Sequence, residues 1–322
     1  MKKSLGLLLV LLLACMFSFA ACAGEDDVRI DEKHFPDPVF RKEVEQYDLD
    51  HDGMLSPEEA DNAIKIRVNG YGVLSLEGIE YLSGLEDLHC DGNNLTKLDI
   101  SRNTELKTLN CSSNNLTELD VSQNSGLKFL YCDSNHLAVL DVSRNPKMQM
   151  LSCSDNPLKE LDIRNLPMLI SLEVADCELT KLDLSNNPDL MELHCRGNRL
   201  TQLDLSHNPF MRRLPCDGNN LTTLDISSCP HLLALVETVD PREDSNRLIW
   251  EKSGYPLAMS PLYDPCFVID KNVKLFTGEE TDPGVPIDTL HFPEEALREE
   301  VKLYDLNGNV VQTVYYLSFG VP

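Results

Sequence analysis

The chain has 322 residues, with 53 acidic against 28 basic side chains and a formal charge of −25. A polyanion of this strength is repelled by phosphate backbones and anionic lipid headgroups, which argues against nucleic acid as a partner. The 11 cysteines are too few and too regularly placed for a small disulfide scaffold, and the length allows one to three domains.

The N-terminus has the features of an export signal. Two lysines precede an apolar run from residue 5 to residue 19, which is too short for a membrane-spanning anchor. Two cleavage sites fit, because Phe19-Ala20-Ala21-Cys22 resembles a bacterial lipobox with Cys22 lipidated, and Ala21-Cys22-Ala23 suits ordinary signal-peptidase cleavage. We expect a secreted or cell-surface protein with a signal peptide over 1–23 and an acidic tether over 24–29. Its contact with a membrane would be limited to a lipid anchor at Cys22.

The segment from 34 to 66 predicts a helix, an acidic loop and a second helix. Val39, Phe40, Val44 and Tyr47 have helical spacing, and D-L-D-H-D-G-M-L-S-P-E-E follows from Asp48. Carboxylates at alternate positions can converge on one hard cation, while the glycine permits a sharp turn and the last glutamate closes the shell. The pattern resembles the EF-hand calcium loop, which implies Ca²⁺ with the ligands Asp48, Asp50, Asp52, Met54 (through its carbonyl), Ser56 and Glu59. The alternative is an acidic surface loop.

A 21-residue period begins at Leu85 and continues without insertion through seven repeats, which start at 85, 106, 127, 148, 169, 190 and 211. Positions 4, 11 and 14 are leucine in all seven repeats, and position 6 is cysteine in six, with Val174 in the fifth. One repeat alone cannot bury so many apolar groups. Stacked in register, the repeats share one continuous core.

The motif L-x-x-L-x-C-x-x-N-x-L-x-x-L-D-x-S resembles the bacterial leucine-rich repeat, and it is closest to the cysteine-ladder repeats of internalin-type surface proteins. The resemblance covers about half the chain and implies an α/β solenoid over 69–236, a leucine-rich repeat right-handed superhelix with short parallel strands such as Asp87–Cys90. A small helical EF-hand-like cap over 30–68 would cover its open N-terminal edge, with calcium in a structural role, and a β-rich cap would follow its C-terminal end.

Three repeat positions, each forming a column of equivalent residues when the repeats are stacked, predict local structure. Cysteines 21 residues apart stack on neighbouring strands about 4.8 Å apart with parallel side chains, which suits buried free thiols better than disulfides or a metal site. Position 9 is asparagine in six repeats, where a buried amide can satisfy turn backbone groups, and Cys177 in the fifth repeat weakens this ladder. Position 15 is aspartate in all seven repeats, and we favour turn capping over a calcium stripe.

The period fades after Leu235. Alternation in 267–269 and 273–276 predicts short antiparallel strands in a cap over 237–278, and 279–286 has the composition of a linker. Residues 287–322 repeat the sequence of the first hand but have Tyr316 at the closing position, so we interpret them as a degenerate EF-hand-like segment. The alternative is a hairpin turn at 305–308.

We find no nucleophile motif, no phosphate loop and no paired acid–base carboxylates outside the repeats, so we do not expect an enzyme. On a leucine-rich solenoid the variable strand residues form the concave face. There we predict an apolar patch of Phe129, Tyr131 and Met150 and a basic patch of His194, Arg196, Arg212 and Arg213. We expect a monomeric adhesion module for a protein or a glycan. The alternatives are solvated strand faces on a cell-envelope spacer, and an enzyme with an unrecognised site.

Overall fold

The computed structural model describes residues 27–238, 242–244, 246–250, 267–277, 298–304 and 310–317. The predicted signal peptide, the lipidation site at Cys22 and the linker over 279–286 lie outside these residues. In the part of the chain that is described, no helix has both the length and the hydropathy that a membrane span requires.

The N-terminal cap contains strand β1 (Val28–Arg29), helix α1 (Pro38–Val44), a 3₁₀ turn (Glu45–Tyr47), strand β2 (Met54–Leu55) and helix α2 (Pro57–Asn62). Helix α1 begins where the Asp37 carboxylate accepts the N–H groups of Val39 and Phe40. The Phe40 ring packs edge-on against Phe35, at 5.8 Å between centroids, and Phe35 in turn contacts Tyr81 at 5.9 Å. The cap therefore shares its core with the first turns of the solenoid.

The repeats form one seven-stranded parallel sheet in chain order, β3 to β9. The strands are β3 (Lys65–Arg67), β4 (Asp87–His89), β5 (Thr108–Asn110), β6 (Phe129–Tyr131), β7 (Met150–Ser152), β8 (Ser171–Glu173) and β9 (Glu192–His194). The position-4 leucines lie opposite one another from strand to strand, as Leu88 does with Leu109. The predicted leucine-rich solenoid of short parallel strands is confirmed. We number its 21-residue turns coils 1 to 7, starting at residues 85, 106, 127, 148, 169, 190 and 211.

The cysteine column lies inside the solenoid. All six cysteines of position 6 are buried and free, as predicted: Cys90, Cys111, Cys132, Cys153, Cys195 and Cys216. Cys177 and Cys229, at positions 9 and 19, are buried and free as well. Burial among leucines raises the pKa of the Cys195 thiol to about 12, helped by the charge of Asp217. The thiols therefore stay neutral and pack as small apolar groups.

Position 9 forms a buried asparagine ladder that joins each coil to the one before it. Asn114 shows the pattern: its Nδ2 lies 2.9 Å from Cys90 O and 3.0 Å from Cys111 O, and its Oδ1 accepts Leu95 N at 2.9 Å. The other members are Asn93, Asn135, Asn156, Asn198 and Asn219. The prediction that these amides satisfy turn backbone groups is confirmed.

The ladder is weakened at Cys177, as predicted. The Cys177 thiol lies 3.2 Å from Cys153 O, so it takes over one donor role of an asparagine amide. A thiol provides no amide oxygen for Leu158 N, which donates instead to Asn156 O at 2.8 Å. The next residue, Lys159, has a φ of 62°. The backbone of coil 4 is therefore distorted where coil 5 lacks its asparagine.

The aspartates at position 15 cap turns. Each accepts the N–H of the residue two positions later at 2.8–3.1 Å, and that residue is serine except at Arg164. Hydrogen bonds from Ser101 lower the pKa of Asp99, and the other six carboxyl groups of the column are shifted in the same direction. Turn capping is thus the observed role of this column, and none of its members belongs to the one cluster of metal-ligating groups in the described residues.

The C-terminal cap extends the solenoid. Strands β10 (Leu214–Pro215) and β11 (Thr223–Asp225) belong to coil 7, and they are followed by helix α3 (Pro230–Thr238), β12 (Arg242–Asp244), β13 (Arg247–Trp250), β14 (Phe267–Asp270) and β15 (Lys274–Phe276). Strand β14 pairs antiparallel with β13, as predicted, but parallel with β10, and β15 pairs parallel with β11. The prediction of purely antiparallel strands was therefore wrong, because β14 and β15 continue the parallel pairing of coil 7.

The last described segment is a hairpin of β16 (Arg298–Tyr304) and β17 (Val310–Leu317). The sequence analysis interprets 287–322 as a degenerate EF-hand-like segment, whereas the two paired strands agree with the hairpin alternative. The physical reason is composition, because β17 is rich in valine and tyrosine, which favour strands.

Candidate binding surface and metal loop

The acidic loop brings together the three aspartates that the sequence singles out. Ligand oxygens of Asp48, Asp50 and Asp52 all lie within 4.8 Å of one another. The loop is shaped from within: the Asp48 carboxylate accepts Gly53 N at 2.9 Å, and Asp52 accepts Met54 N at 2.7 Å. Gly53 has a φ of 79°, the left-handed conformation that glycine adopts without strain. The backbone therefore holds three carboxylates around one point, as a hard cation requires.

Glu59 faces the same loop but lies outside this three-carboxylate cluster. Its Oε1 accepts Leu49 N at 2.8 Å, and its Oε2 accepts Ser56 N at 2.9 Å and the Ser56 hydroxyl at 2.8 Å. Glu59 and Ser56 thus form the capping box that starts α2. Of the predicted ligands, Glu59 and Ser56 are engaged with each other. Met54 lies in β2, which pairs with β1 at Arg29.

The charges of the loop act on one another. Desolvation of its carboxylate, followed by the charges of Asp52, Glu59 and Asp48, raises the pKa of Asp50, although its side chain is exposed. Burial opposes ionisation of Glu59 too, but hydrogen bonds from Ser56 outweigh it and lower the pKa of that carboxyl. Crowded like charges of this kind are what a bound cation would neutralise. The donor set and its convergence therefore fit calcium.

The three residues of the predicted apolar patch lie side by side on the face of β6 and β7 that points away from the core. Phe129 and Met150 are Cα partners across β6 and β7, and the Tyr131 hydroxyl lies 3.1 Å from Met150 Sδ. Both aromatic rings are half-buried, whereas Met150 is 6% exposed. Burial, together with the charges of Glu173 and Asp133, raises the pKa of Tyr131 to about 12. The aromatic side chains therefore form the accessible part of this patch.

Beside the patch lies a hydroxyl and carboxylate group that the sequence analysis did not single out. The Ser152 hydroxyl lies 2.5 Å from Asp133 Oδ1 and 3.2 Å from Glu173 Oε2. Asp133 also accepts Ser154 N at 2.9 Å and the Ser112 hydroxyl at 3.1 Å. Burial raises the pKa of Asp133 despite these bonds. The sequence could have indicated this group, because Ser152 and Glu173 occupy strand position 5 and Asp133 occupies position 7, just after its strand.

The predicted basic residues lie at the C-terminal end of the same face. Arg196 is exposed, and His194, Arg212 and Arg213 are half-buried. Two of them lie opposite carboxylate residues in the sheet, since His194 is the Cα partner of Glu173, and the backbone of Arg213 pairs with that of Glu192 in an isolated β-bridge. The structure therefore interleaves these basic groups with acidic ones.

Comparison with known proteins agrees with the repeat assignment. Residues 199–219 match the family model of the Leucine Rich Repeat. The chain is similar to a functional domain of InlJ from Listeria monocytogenes that includes a cysteine ladder, with 30% identity, a TM-score of 0.43 and coverage of 65% of this chain and 56% of that one. A leucine-rich repeat protein of Leptospira interrogans has 27% identity and a TM-score of 0.43, covering 45% of this chain and 40% of that one.

Internalin C2 of Listeria monocytogenes is similar at 21% identity with a TM-score of 0.47, over 62% of this chain and 97% of that one. The chain spans about half the length of the InlJ domain and two fifths of the Leptospira protein. No curated protein matches the sequence. The fold assignment rests on the stacked coils themselves, because each of these superpositions has a TM-score below 0.5.

Proposed function

We propose that this protein is a binding module that holds a partner protein on the concave face of its solenoid. The observation that carries the proposal is the grouping of Phe129, Tyr131 and Met150 at the centre of that face. Aromatic side chains held half-exposed on a rigid sheet provide large contact areas at small entropic cost, which is typical of binding hot spots. Neighbouring strands are fixed by the shared core, so the surface is preorganised.

The test is capture of cell-surface proteins on the immobilised mature chain, followed by affinity measurement with each purified candidate. We expect Phe129→Ala with Tyr131→Ala to weaken binding at least tenfold while the melting temperature stays within a few degrees. Val139→Ala is the matched control, because Val139 is 74% exposed and lies outside the strands. Equal affinity in wild type and both variants would contradict the proposal. A chain with no saturable partner, glycan arrays included, would instead favour the spacer alternative.

We also propose that the N-terminal cap holds a calcium ion that stabilises it. Asp48, Asp50 and Asp52 would provide the first carboxylates, and Glu59 would join them by exchanging its bond to the Ser56 hydroxyl for the ion. Calcium supplies a hard positive charge that offsets the mutual repulsion of these side chains. Because α2 starts at this loop and leads into β3, the ion would stabilise the connection between the cap and the first strand of the sheet.

Calorimetric titration with Ca²⁺ tests this role. Asp50→Asn and Glu59→Gln should abolish the binding heat, while Glu58→Gln, which removes the same charge from an exposed neighbour, should leave it unchanged. Glutamine retains the capping box, so Glu59→Gln is expected to fold. Identical heats in all variants would refute the calcium assignment without affecting the concave surface.

We propose in addition that the chain is exported and works at the cell surface or in the medium. The support is the N-terminal sequence, with its short apolar run and its lipobox-like residues before Cys22. Fractionation of expressing cells tests export, and incorporation of labelled fatty acid into wild type but not Cys22→Ala tests lipidation. Retention of the uncleaved chain in the cytoplasm would refute both.

A further inference from the structure

We infer that Cys153 and Cys177 form a disulfide when the chain is exported, so that coils 4 and 5 are joined covalently where the asparagine ladder is interrupted. The structure shows the reduced form, in which both thiols are free and buried. The inference rests on the proposed export, because disulfides persist in oxidising compartments outside the cytoplasm and are rare within it. It concerns this pair alone, because the cysteines of position 6 stack on one another as parallel side chains, which suits a disulfide badly.

Coil 5 carries its cysteine at a different inward position from the other coils. Position 6 holds Val174 instead of the ladder cysteine, and position 9 holds Cys177 instead of asparagine. Val174, and not a thiol, therefore lies beside Cys153 in the cysteine column on the side of coil 5. Cys177 approaches Cys153 from the turn after β8, so the two side chains meet from different directions instead of running parallel.

Side chains at position 9 reach back to position 6 of the preceding coil. In coil 4 the amide nitrogen of Asn156 lies 3.0 Å from Cys132 O, 24 residues earlier. Cys177 makes the same contact one coil later, because its Sγ lies 3.2 Å from Cys153 O and 3.3 Å from Ala175 O. The sulfur is one bond away from Cβ, so this contact brings the backbone at Cys177 close to that at Cys153, as a disulfide requires.

The two thiols also contact each other. A hydrogen bond to the Cys177 side chain is the largest cause of the raised pKa of the Cys153 thiol, followed by burial. Cys132, the next thiol of the column, acts on Cys153 through its charge. Two sulfur atoms that are already hydrogen-bonded need little movement to reach the bond length of a disulfide.

The bond would form where the ladder of buried amides is interrupted. Leu158 N donates to Asn156 O within its own turn, and Lys159 has a φ of 62°. A disulfide would join coils 4 and 5 in place of the hydrogen bonds that an asparagine provides elsewhere. The loop that it closes contains β8, which pairs with β7 at Met150 of the apolar patch. Fixing these two strands would preorganise the proposed binding surface.

The oxidant that we propose is itself a disulfide, held by a thiol oxidoreductase outside the cytoplasm or, in the test tube, by oxidised glutathione. One cysteine thiolate attacks this disulfide and releases a thiol, and the second cysteine then displaces the other half. Each cysteine loses one hydrogen, the Cys153–Cys177 bond forms, and the oxidant is reduced to two thiols. Both thiols are buried in the folded chain, so the exchange takes place while the chain folds.

The test refolds the purified mature chain from urea in a mixture of reduced and oxidised glutathione, with reduced glutathione alone as the reference. Free thiols are then alkylated under denaturing conditions. Trypsin places Cys153 on peptide 148–159 and Cys177 on peptide 165–181, so a non-reducing digest shows the cross-link as one joined mass. We expect this mass in the oxidised sample, and a melting temperature about 5 °C or more above that of the reduced sample.

Two variants and a control connect the cross-link to its residues. Cys177→Ser and Cys153→Ala should each abolish the joined mass and the rise in melting temperature. Cys132→Ala is the matched control, because it removes a buried thiol from the neighbouring coil and should leave both effects intact. Each variant is compared with its own reduced form, so the cost of the substitution itself cancels. Free Cys153 and Cys177 in the oxidised wild type, or either one joined to a third cysteine or to glutathione, would overturn the inference.

Trapping of thiols in expressing cells distinguishes this inference from the proposed export. We expect the cross-link in the exported chain and free thiols in a chain that lacks residues 1–23. An exported chain with both thiols free would overturn the inference and leave export standing. Retention of the uncleaved chain in the cytoplasm would refute export and, with it, oxidation of the pair in the cell.

Discussion

Replacing one asparagine of the position-9 ladder should destabilise the solenoid far more than replacing its sequence neighbour. Asn114 is 6% exposed and bonds backbone groups of two coils, whereas the side chain of Asn115 is exposed. Asn114→Ala would leave Leu95 N without its acceptor, and it would remove one of the two amide donors of Cys90 O and of Cys111 O, which keep Asn93 and Asn135. A buried backbone group left unpaired costs about 1–3 kcal/mol, and each further hydrogen bond lost costs about 1 kcal/mol. Because the coils can relax in part, we expect a total loss of about 2–4 kcal/mol.

Urea unfolding followed by far-ultraviolet circular dichroism measures this loss. Asn115→Ala is the matched control and should change the free energy of unfolding by less than about 0.5 kcal/mol, as exposed substitutions do. Repeat arrays can lose cooperativity, so the slope of the transition is compared between variants before free energies are extracted. A difference below about 1 kcal/mol between the two alanine variants would refute the idea that this ladder holds neighbouring coils together.

Further predictions concern backbone conformation, thiols and pH. Gly92→Ala should lower the free energy of unfolding in urea by about 1–2 kcal/mol, because Gly92 has a φ of 66°. An added Cβ would meet nothing closer than 3.6 Å, so the substitution tests backbone conformation alone, and an unchanged free energy would contradict the prediction. The buried thiols should resist iodoacetamide in the native protein and react on unfolding, as peptide mapping can show. Carboxyl groups at position 15 have lowered pKa values, about 2 at Asp162. Their contribution to the free energy of unfolding should therefore be complete above about pH 4 and vanish toward pH 2, which acid unfolding measures. Thiols with raised pKa values act oppositely: stability should fall as pH rises above about 8.5 until the pKa of Cys195, about 12, is passed.

The sequence predicted the solenoid because a 21-residue period places the same residue type at the same point of every coil. Leu88, Leu109 and their counterparts therefore meet in register, and the buried cysteines and asparagines follow from the same periodicity. The C-terminal cap has no such repeat to set its register. Alternation predicted the strands at 267–276, but their parallel pairing with β10 and β11 depends on contacts distant in sequence.

A second asparagine column shows how a periodic signal can be missed. Position 19 places a fully buried asparagine in five coils: Asn103, Asn124, Asn145, Asn187 and Asn208. The Asn124 amide donates to Ile100 O at 3.1 Å and Asn103 O at 2.8 Å, so this column also joins neighbouring coils. The Asn-Pro pairs in three of these repeats suggest only helix breaking. Their role as donors follows from the turn geometry and cannot be derived from the spacing alone.

The candidate site could be predicted only in part, and the reason is physical. Phe129 and Tyr131 are recognisable as outward strand residues of unusual size. Asp133 and Glu173 are ordinary acidic residues in a chain with a charge of −25, and their importance comes from the shared Ser152 hydroxyl on the strand between them. Such a contact depends on side-chain reach across two strands, which a periodic pattern does not specify.

Four residues interrupt the three buried columns. Coil 4 has Leu166 and coil 7 has Cys229 at position 19, and coil 5 has Val174 at position 6 and Cys177 at position 9. Three of the four lie in coils 4 and 5, where β7 contributes Met150 to the apolar patch and β8 pairs with β7. Proteins tend to break local rules where function competes with stability. Restoring the pattern with Cys177→Asn should therefore strengthen the ladder, and a changed affinity for the captured partner would show that this irregularity serves binding.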